Sequence, residues 1–375
     1  MTRPITSTLK KICLTLIVTQ VFSQAVLAQS TPQLNRKFAK KVTVEIKDEP
    51  IGKFLNQLAE ENKVTIEIDT EALADDGYSV DETISLSLKN VSLFTVVKLA
   101  GESLEFTCLP KGNGLFITTH LAAQDALYER QYNLPWIQML RVDSRSVAAA
   151  LEQTTPGPWM TIDGEGGEFT AIGPAAYKIS QDWENHQVIE SILLQIESIV
   201  RGRGVTVGSP AERAIMKSLQ KSVDQVEGES TITEYLDKLL ASNEINFWLD
   251  RSELSNEGIA SDVMLNFSAG KRPVFAHLME ALKPHGMVPY VEGEVVKITT
   301  SLAAEASTVT RVYDVRKQVR QVGSTVAVID VLQKTAGTGP WFGVEMEGGE
   351  VGEVGPLIII EHNRQAHQVI QEALK

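Results

Sequence analysis

The sequence predicts an α+β protein made of two similar halves in tandem. Four short blocks occur twice in the same order, which indicates an internal duplication. They are Gly-Pro-Trp at 157–159 and 339–341, Glu-Gly-Gly-Glu at 165–168 and 347–350, Gly-Pro at 173–174 and 355–356, and His-Gln-Val-Ile at 186–189 and 367–370. Between the blocks, stretches with the period of a strand alternate with stretches that have the period of an amphipathic helix, so each half contains both kinds of element.

The first 28 residues have the pattern of a secretory signal peptide. Arg3, Lys10 and Lys11 precede an apolar run at 12–27, and Ala28 completes a small-x-small cleavage pattern. We therefore expect residues 1–28 to be removed and the mature chain to be exported to the periplasm or cell envelope. No later stretch is long enough in sequence to span a membrane, so no transmembrane segment is expected after cleavage.

Charge and cysteine content narrow the class of partner. The whole chain has a formal net charge of −13, and the leader carries +3, which leaves −16 on the mature chain. Such a balance disfavours nucleic acid and anionic lipid as partners, since phosphate binding needs a cationic patch. Cys13 leaves with the leader, so Cys108 has no intramolecular disulfide partner and is expected to be a buried strand thiol.

The first half is expected at 37–200 and contains two units. Alternating apolar stretches predict strands at 42–46, 64–68 and 84–88, helical spacing predicts helices at 51–58 and 93–100, and a hairpin is predicted at 104–109 and 115–118. This order is β-α-β-β-α-β-β. A β-α-β-β-α unit follows, in which one extra strand is possible. Its strands are expected near Tyr132 and at 159–162, 169–172 and 177–179, and its helices at about 146–153 and 188–199.

A glycine-rich linker at 201–217 precedes the second half at 218–375, which repeats the plan at a shift of 181. Gln225 falls on Val44, so the opening strand of this half is expected to be weak or shifted. Pro289 falls on Cys108, which predicts an edge strand because proline cannot donate a backbone hydrogen bond. Each half has its own strands and helices and is expected to fold alone.

The first unit resembles the short N-terminal domain (STN) that secretins and TonB-dependent receptors share. The resemblance lies in "VTIEID" at 64–69, "ISLSLKNVSL" at 84–93 and "LFITT" at 115–119. The second half departs from it, with "SAGKRP" at 268–273 where the strand-to-helix motif would stand. The unit that ends at 186–200 is similar to the small βαββα repeats of the secretin periplasmic region. The resemblance implies an envelope module that binds or assembles with proteins.

The two Glu-Gly-Gly-Glu blocks invite a metal interpretation, but their spacing argues against one. A calcium loop needs carboxylates at alternate positions and a closing glutamate, and neither copy has them. A glycine-rich turn between strands explains the glycines by their freedom at positive φ. We therefore predict turns whose glutamates face water, and no metal or other cofactor.

His186 and His367 each begin a helix and are the candidate bases. Neither has a His, Cys or carboxylate at i+3 or i+4 in both copies, and His362 lies five residues before His367, off a common helix face. A packing role is therefore favoured for both. Trp159 and Trp341 are expected to be core anchors, since tryptophan contributes a large buried area to a small domain.

No catalytic, cofactor-binding or metal-binding residue is assigned from the sequence, and an enzyme is not expected. The leading interpretation is a non-enzymatic exported protein that binds or assembles with protein partners through the duplicated modules. Two alternatives stay open: an exported enzyme that uses the acidic glycine-rich turns, and a self-assembling ring or scaffold component.

Overall fold

The chain folds into four small units in sequence. The computed structural model describes residues 29–30, 34, 36–205, 207–345 and 348–375, so the expected signal peptide lies outside the described residues. Small sheets alternate with helices throughout those ranges, which confirms the α+β class. Unit 1 spans 36–124, unit 2 spans 128–200, unit 3 spans 210–306 and unit 4 spans 308–375. Within the described residues, no helix has both the length and the apolar character needed to cross a membrane.

The helices and strands have the following bounds. A two-residue strand β1 (Gln29–Ser30) precedes unit 1, which contains β2 (Lys41–Pro50), α1 (Ile51–Asn62), β3 (Ile66–Ile68), α2 (Thr70–Asp75), β4 (Thr83–Ser92), α3 (Leu93–Glu102), β5 (Phe106–Lys111), β6 (Gly114–Thr119) and α4 (His120–Gln124). Unit 2 contains β7 (Tyr128–Asn133), α5 (Trp136–Leu140), α6 (Ser144–Thr154), β8 (Glu168–Gly173), β9 (Ala176–Gln181) and α7 (Trp183–Val200).

The second half has corresponding elements. Unit 3 contains α8 (Pro210–Leu219), β10 (Ser222–Gln225), β11 (Gly228–Thr231), α9 (Ile232–Leu239), β12 (Phe247–Leu249), α10 (Arg251–Asn256), β13 (Met264–Phe267), β14 (Gly270–Pro273), α11 (Val274–Leu282), β15 (Met287–Glu292), β16 (Val295–Thr300) and α12 (Ser301–Ala306). Unit 4 contains β17 (Thr308–Asp314), α13 (Arg316–Val322), α14 (Thr325–Gln333), α15 (Phe342–Glu345), β18 (Glu350–Val354), β19 (Leu357–Asn363) and α16 (Arg364–Ala373). Many elements begin at positions that differ by 181, among them α1 and α9, β3 and β12, β6 and β16, and α7 and α16.

Units 1 and 3 share one topology. In unit 1, β2 pairs with β4, and a second sheet has the order β3-β6-β5 with β3 parallel to β6. Ile84, Leu86 and Leu88 alternate toward the core along β4, and Ser92 ends the strand and caps α3 by accepting a hydrogen bond from the Thr95 amide. The sequence therefore switches from period two to helical period at one capping residue.

The expected irregularity of the second half is present. Where unit 1 has the single strand β2, unit 3 has β10 and β11, which pair separately with β14 and β13. The break between the two strands includes Val226, which is 81% exposed and therefore contributes little to the core. Pro289 lies on β15, the edge strand of the β12-β16-β15 sheet, as its missing N–H predicts.

Units 2 and 4 each have a small sheet with helices on one face, and all the strand pairs are antiparallel except β1 with β7. The sheet orders are β1-β7-β9-β8 and β17-β19-β18. One predicted strand is wrong: the segment at 159–162 is a turn in which Trp159 only bridges Gly167. The Trp159 amide donates to the Asp163 carboxylate (2.6 Å) and its carbonyl accepts from Ile162 and Asp163, so local bonds close the turn.

Several short helices were not predicted, among them α2, α5 and α8. Helix α2 covers part of the expected acidic loop, α5 follows β7, and α8 lies partly within the expected linker. Helix α8 begins at Ser209-Pro210 with a capping box that Glu212 completes. Helices α2 and α5 have only six and five residues. Helix α8 is marked by its cap and not by a long apolar stripe. Hydrophobic periodicity therefore gives little signal for them.

The two halves share hydrophobic cores. Trp248 and Val295 of unit 3 belong to the core of unit 1. Val354, Leu357 and Ile359 of unit 4 belong to the core of unit 2. Separation of the halves would expose these side chains to water, so the structure gives no support to the expectation that each half folds alone.

Candidate protein-binding surfaces

The repeated Gly-Pro-Trp and Glu-Gly-Gly-Glu blocks build one turn in each half. Trp159 and Trp341 are each 1% exposed, so both are core anchors, as expected. Gly166 and Gly348 have φ of +87° and +90°. A Cβ on either glycine would lie 2.3 or 2.2 Å from the carbonyl oxygen of the proline in the same turn. Only glycine fits this approach, so the blocks are folding signals.

The glutamates of the first turn face water. Glu165 and Glu168 are exposed, and Glu347 of the second turn lies outside the described residues. Among the residues that the structure describes, no group of three or more His, Cys, Asp or Glu side chains is arranged to hold a metal ion. Burial raises the pKa of the Cys108 thiol to about 12, which makes it a poor nucleophile at neutral pH.

His186 is buried and both its ring nitrogens are engaged. Nε2 lies 2.9 Å from the Tyr128 carbonyl oxygen, and Nδ1 lies 2.9 Å from the Tyr132 hydroxyl. A carbonyl oxygen only accepts, so Nε2 carries the proton and Nδ1 accepts from the tyrosine hydroxyl. Burial lowers the pKa of His186, which keeps the ring neutral near pH 7.

His367 repeats this arrangement in the second half. Its Nε2 donates to the Val309 carbonyl oxygen over 2.7 Å, and its Nδ1 accepts from the Tyr313 hydroxyl over 2.8 Å. Burial lowers the pKa of His367 to about 3. Both histidines therefore hold a strand against a helix as neutral rings, and neither presents a free base to a substrate.

Helix α6 of unit 2 packs on the outer face of the unit 4 sheet. Gly352 on β18 lies so close to it that an added Cβ would be 2.8 Å from the Cα and Cβ atoms of Ala150. Thr310 donates to the Thr154 carbonyl oxygen (2.9 Å), which adds a polar contact at the rim. Units 2 and 4 are therefore stacked, with the helices of one unit on the sheet of the next.

The corresponding helix surface of unit 4 is exposed. Val331 on α14 stands where unit 2 has Ala150, and it is 57% exposed whereas Ala150 is 3% exposed. Val326 and Val322 on the same pair of helices are also exposed. We call α13 and α14 with these three valines the helix end of the stack. Of the three valines, Val331 is the one whose counterpart, Ala150, is buried, since the counterparts of Val322 and Val326 are the exposed Arg141 and Arg145. Exposed apolar side chains grouped in this way make the helix end a candidate interaction surface.

The opposite end of the stack is a sheet face with a different character. Thr170, Ile172 and Lys178 of unit 2 stand where unit 4 has Gly352, Val354 and Ile359. The ammonium of Lys178 pairs with the carboxylate of Glu129 (3.0 Å) across this face. We call this face the sheet end. A charged pair replaces the apolar side chains that receive α6 in unit 4, which is how terminal repeats of stacked proteins stay soluble.

Units 1 and 3 are joined by polar contacts as well as by a shared core. The Asn246 side chain donates to the Lys89 carbonyl oxygen and accepts from the Lys89 amide, both over 2.8 Å. Burial raises the pKa of Glu294, but hydrogen bonds from Lys41, Ser92 and Thr95 outweigh it and hold that pKa at about 2. This carboxylate therefore stays charged and keeps the two halves in register.

A buried charge cluster lies beside this contact. Lys98 binds Glu102 (3.2 Å) within its own helix and Glu292 (2.8 Å) of unit 3. Burial raises the pKa of Glu102, and its Oε2 atom has no hydrogen-bond partner. The cluster is a structural contact between the halves, since Lys98 joins a carboxylate of unit 1 to one of unit 3.

Comparisons with known proteins give structural similarities only. No model of a protein family matches the chain, and no curated protein matches its sequence. The chain is similar to the N-terminal domain of the secretin XcpQ from Pseudomonas aeruginosa, with 12% identity over 89% of this chain and 97% of that one and a TM-score of 0.16. A second structure of XcpQ, named XcpQN012, has 14% identity over 90% and 99% of the two chains and a TM-score of 0.18.

A third similar structure is the GspC–GspD complex of the type II secretion system of enterotoxigenic Escherichia coli. Its matched chain is 12% identical over 43% of this chain and 99% of that one, with a TM-score of 0.16. TM-scores of this size carry no argument about function. The surfaces described above must therefore support any functional conclusion themselves.

The sequence predicted the anchors and turns but not the exposed surfaces at the two ends of the stack. Trp159 is bonded within its own turn and His186 is bonded to β7, so these repeated residues stabilise the unit to which they belong. The surfaces lie instead where the copies differ, as at Ala150 and Val331. A position-by-position comparison of the two halves could have found them, because side chains are expected to differ where a face is buried in one half and exposed in the other.

Proposed function

We propose that the chain is a non-enzymatic protein of the periplasm or cell envelope that binds protein partners through two copies of one secretin-like module pair. The copies are residues 37–200 and 218–375, joined through 201–217. The leader pattern at 1–28 supports export, and the common offset of the elements supports the duplication. No cofactor is part of this proposal.

The exposed helix end carries the proposal. Within the chain, the equivalent helix surface of unit 2 is buried against the sheet of unit 4, with Ala150 on Gly352. The counterpart of Ala150 in unit 4 is Val331, which is 57% accessible to solvent. We infer that the helix end receives the apolar sheet face of a partner module, because that is the surface its counterpart already binds.

The sheet end argues against an open self-assembling stack as the first choice. In a head-to-tail polymer the helix end of one copy would meet the sheet end of the next. That contact would set Val331 against Thr170, the counterpart of Gly352, and would bury the charges of the neighbouring Lys178 and Glu129. A different protein with an apolar sheet face avoids this cost. The enzyme alternative finds no support, since both histidines are occupied internally.

The proposal is tested by site-specific crosslinking. A photoreactive residue at position 331 is expected to give one defined adduct in the envelope of the host, and the same residue at position 226 is expected to give none. Val226 is the matched control, because it is an exposed valine remote in sequence from the helix end.

The partner found in this way is then purified and titrated against the chain. Val331→Asp should weaken the complex by at least tenfold, because a charge would be buried in an apolar contact, whereas Val226→Asp should leave it unchanged. Equal adducts at both positions, or no effect of Val331→Asp, would refute the proposal. Reversible self-association of the pure chain that Val331→Asp abolishes would favour the self-assembly alternative.

A further inference from the structure

An open cleft of about 400 Å³ lies along one edge of the unit 4 sheet. Its floor is β17, the edge strand of the β17-β19-β18 sheet. The C-terminal end of α7 and the segment after it form one wall, and α16 contributes to the other. Its lining includes Ile199, Val205, Arg311, Tyr313, Arg316 and Gln371.

Arg311 is the unusual member of this set. Its counterpart in unit 2 is Arg130, whose two terminal nitrogens donate to the two carboxylate oxygens of Glu190 over 2.9 and 3.0 Å. The position that corresponds to Glu190 is Gln371, so the second copy has lost the carboxylate. Within the described part of the chain, Arg311 pairs with no carboxylate.

The cleft is positive in an acidic protein. Arg316 is neutralised by Asp314, which accepts hydrogen bonds from its Nε atom over 2.8 and 3.0 Å. That pairing leaves the charge of Arg311 uncompensated on the cleft lining, against a formal net charge of −13 for the chain. A guanidinium fork binds a carboxylate in a bidentate manner, and the geometry of Arg130 and Glu190 shows the arrangement in this protein.

The edge strand suits an extended ligand. In unit 2 the corresponding edge of β7 is occupied by β1, which runs parallel to it and pairs Gln29 with Tyr128 and Ser30 with Glu129. In unit 4, the amide of Val312 donates to the side-chain oxygen of Gln195 over 3.0 Å. The Gln195 oxygen accepts from the strand amide as the carbonyl of a neighbouring strand would. A carbonyl of an incoming strand could replace it as the acceptor.

We propose that the cleft beside β17 binds an extended acidic segment of a protein partner, with a glutamate or aspartate side chain on Arg311. Ile199 and Val205 also line the cleft, so we expect apolar side chains at alternate positions of the segment. The inference deepens the proposed function and rests on it, but it concerns a surface separate from the helix end.

The probes are capped heptapeptides with alternating valine, each with glutamate or glutamine at its centre, and free glutarate. Binding to the whole mature chain is measured by fluorescence anisotropy of the labelled peptides. The glutamate peptide is expected to bind about tenfold to a hundredfold more tightly than the glutamine peptide, the range for one charge-assisted bidentate contact. Binding should weaken as sodium chloride is raised.

The chain supplies its own matched variants. Gln371→Glu places a carboxylate beside Arg311, as Glu190 does for Arg130, and is expected to weaken peptide binding at least tenfold while the thermal unfolding midpoint stays the same or rises. Glu190→Gln is the control in the other copy and should leave binding unchanged. Arg311→Lys keeps the charge but loses the fork, so it should bind with intermediate affinity.

Three outcomes would overturn the proposal. They are equal affinity for glutamate and glutamine peptides, unchanged binding by Gln371→Glu, and glutarate binding as tightly as the peptide. Val331→Asp should not alter peptide binding. If the peptides do not bind but a crosslink forms at position 331, only the cleft proposal is refuted. If a peptide binds but no crosslink forms at position 331, only the helix-end proposal is refuted.

Discussion

Gly352→Ala is expected to destabilise the protein, although local propensity predicts the opposite. Gly352 lies in the interior of β18, and its φ is outside the left-handed region, so alanine fits the backbone. On propensity alone the change would stabilise the strand by roughly 0.5–1 kcal/mol. The added Cβ, however, would lie 2.8 Å from the Cα, Cβ and O atoms of Ala150 in the other half.

The packing effect is the larger of the two. Forcing one extra carbon into a filled contact costs about 1–3 kcal/mol. Two of the three clashing atoms belong to the backbone of α6, so the contact relaxes only if the helix moves. The expected net loss in the free energy of unfolding is therefore about 0.5–2 kcal/mol.

Urea unfolding followed by far-ultraviolet circular dichroism measures this difference. Thr170→Ala is the matched control, because Thr170 occupies the same place on the free sheet end, and its effect should stay within about 0.5 kcal/mol. If Gly352→Ala is as stable as the parent or more stable, the stacking of unit 2 on unit 4 is wrong.

Three further predictions concern the repeated residues. Trp159→Ala and Trp341→Ala should each lower the free energy of unfolding by about 3–5 kcal/mol in urea titrations, and an unchanged midpoint would place the ring outside the core. Tyr132→Phe and Tyr313→Phe should each cost about 1–3 kcal/mol, because the buried Nδ1 of the neighbouring histidine loses its donor; a neutral result would show that the bond contributes nothing. Stability should fall as the pH drops from 7 to 5.5. In the folded state the pKa of His186 is lowered and that of His367 is lowered to about 3, whereas in the unfolded state histidine has a pKa near 6.5, so the unfolded state binds more protons in this window. Unfolding midpoints that do not change with pH would contradict the neutral tautomers.

The element order of each half could be predicted because each strand and helix has its own apolar period. Ile84, Leu86 and Leu88 predict β4, and the buried face of α1 follows the spacing of Ile51, Leu55 and Leu58. The strand expected at 159–162 failed for a local reason. Its apolar residues fit a strand, but the carboxylate of Asp163 captures the Trp159 amide and closes a turn.

The joining of the two halves could not be predicted from periodicity. An apolar strand residue such as Trp248 can pack into its own unit or into a neighbouring unit, and Trp248 packs into the core of unit 1. The sequence pattern is the same in both cases. Hydrogen bonds such as that from Asn246 to Lys89 join positions 157 residues apart, and no local signal specifies such pairs. The glycine-rich linker predicts independent halves, and the shared cores of the units give that prediction no support.

Differences between the two copies therefore contain more functional information than their similarities. The shared residues, such as Trp159 and Trp341, maintain the fold in both halves. The pairs that differ lie where the copies occupy different places in the stack: a small residue at Ala150 is buried, and a larger one at Val331 is exposed. Glu190 completes an ion pair, and its counterpart Gln371 leaves an arginine without one. Loss of an internal partner at two separate surfaces of unit 4 is the observation on which both proposed binding surfaces rest.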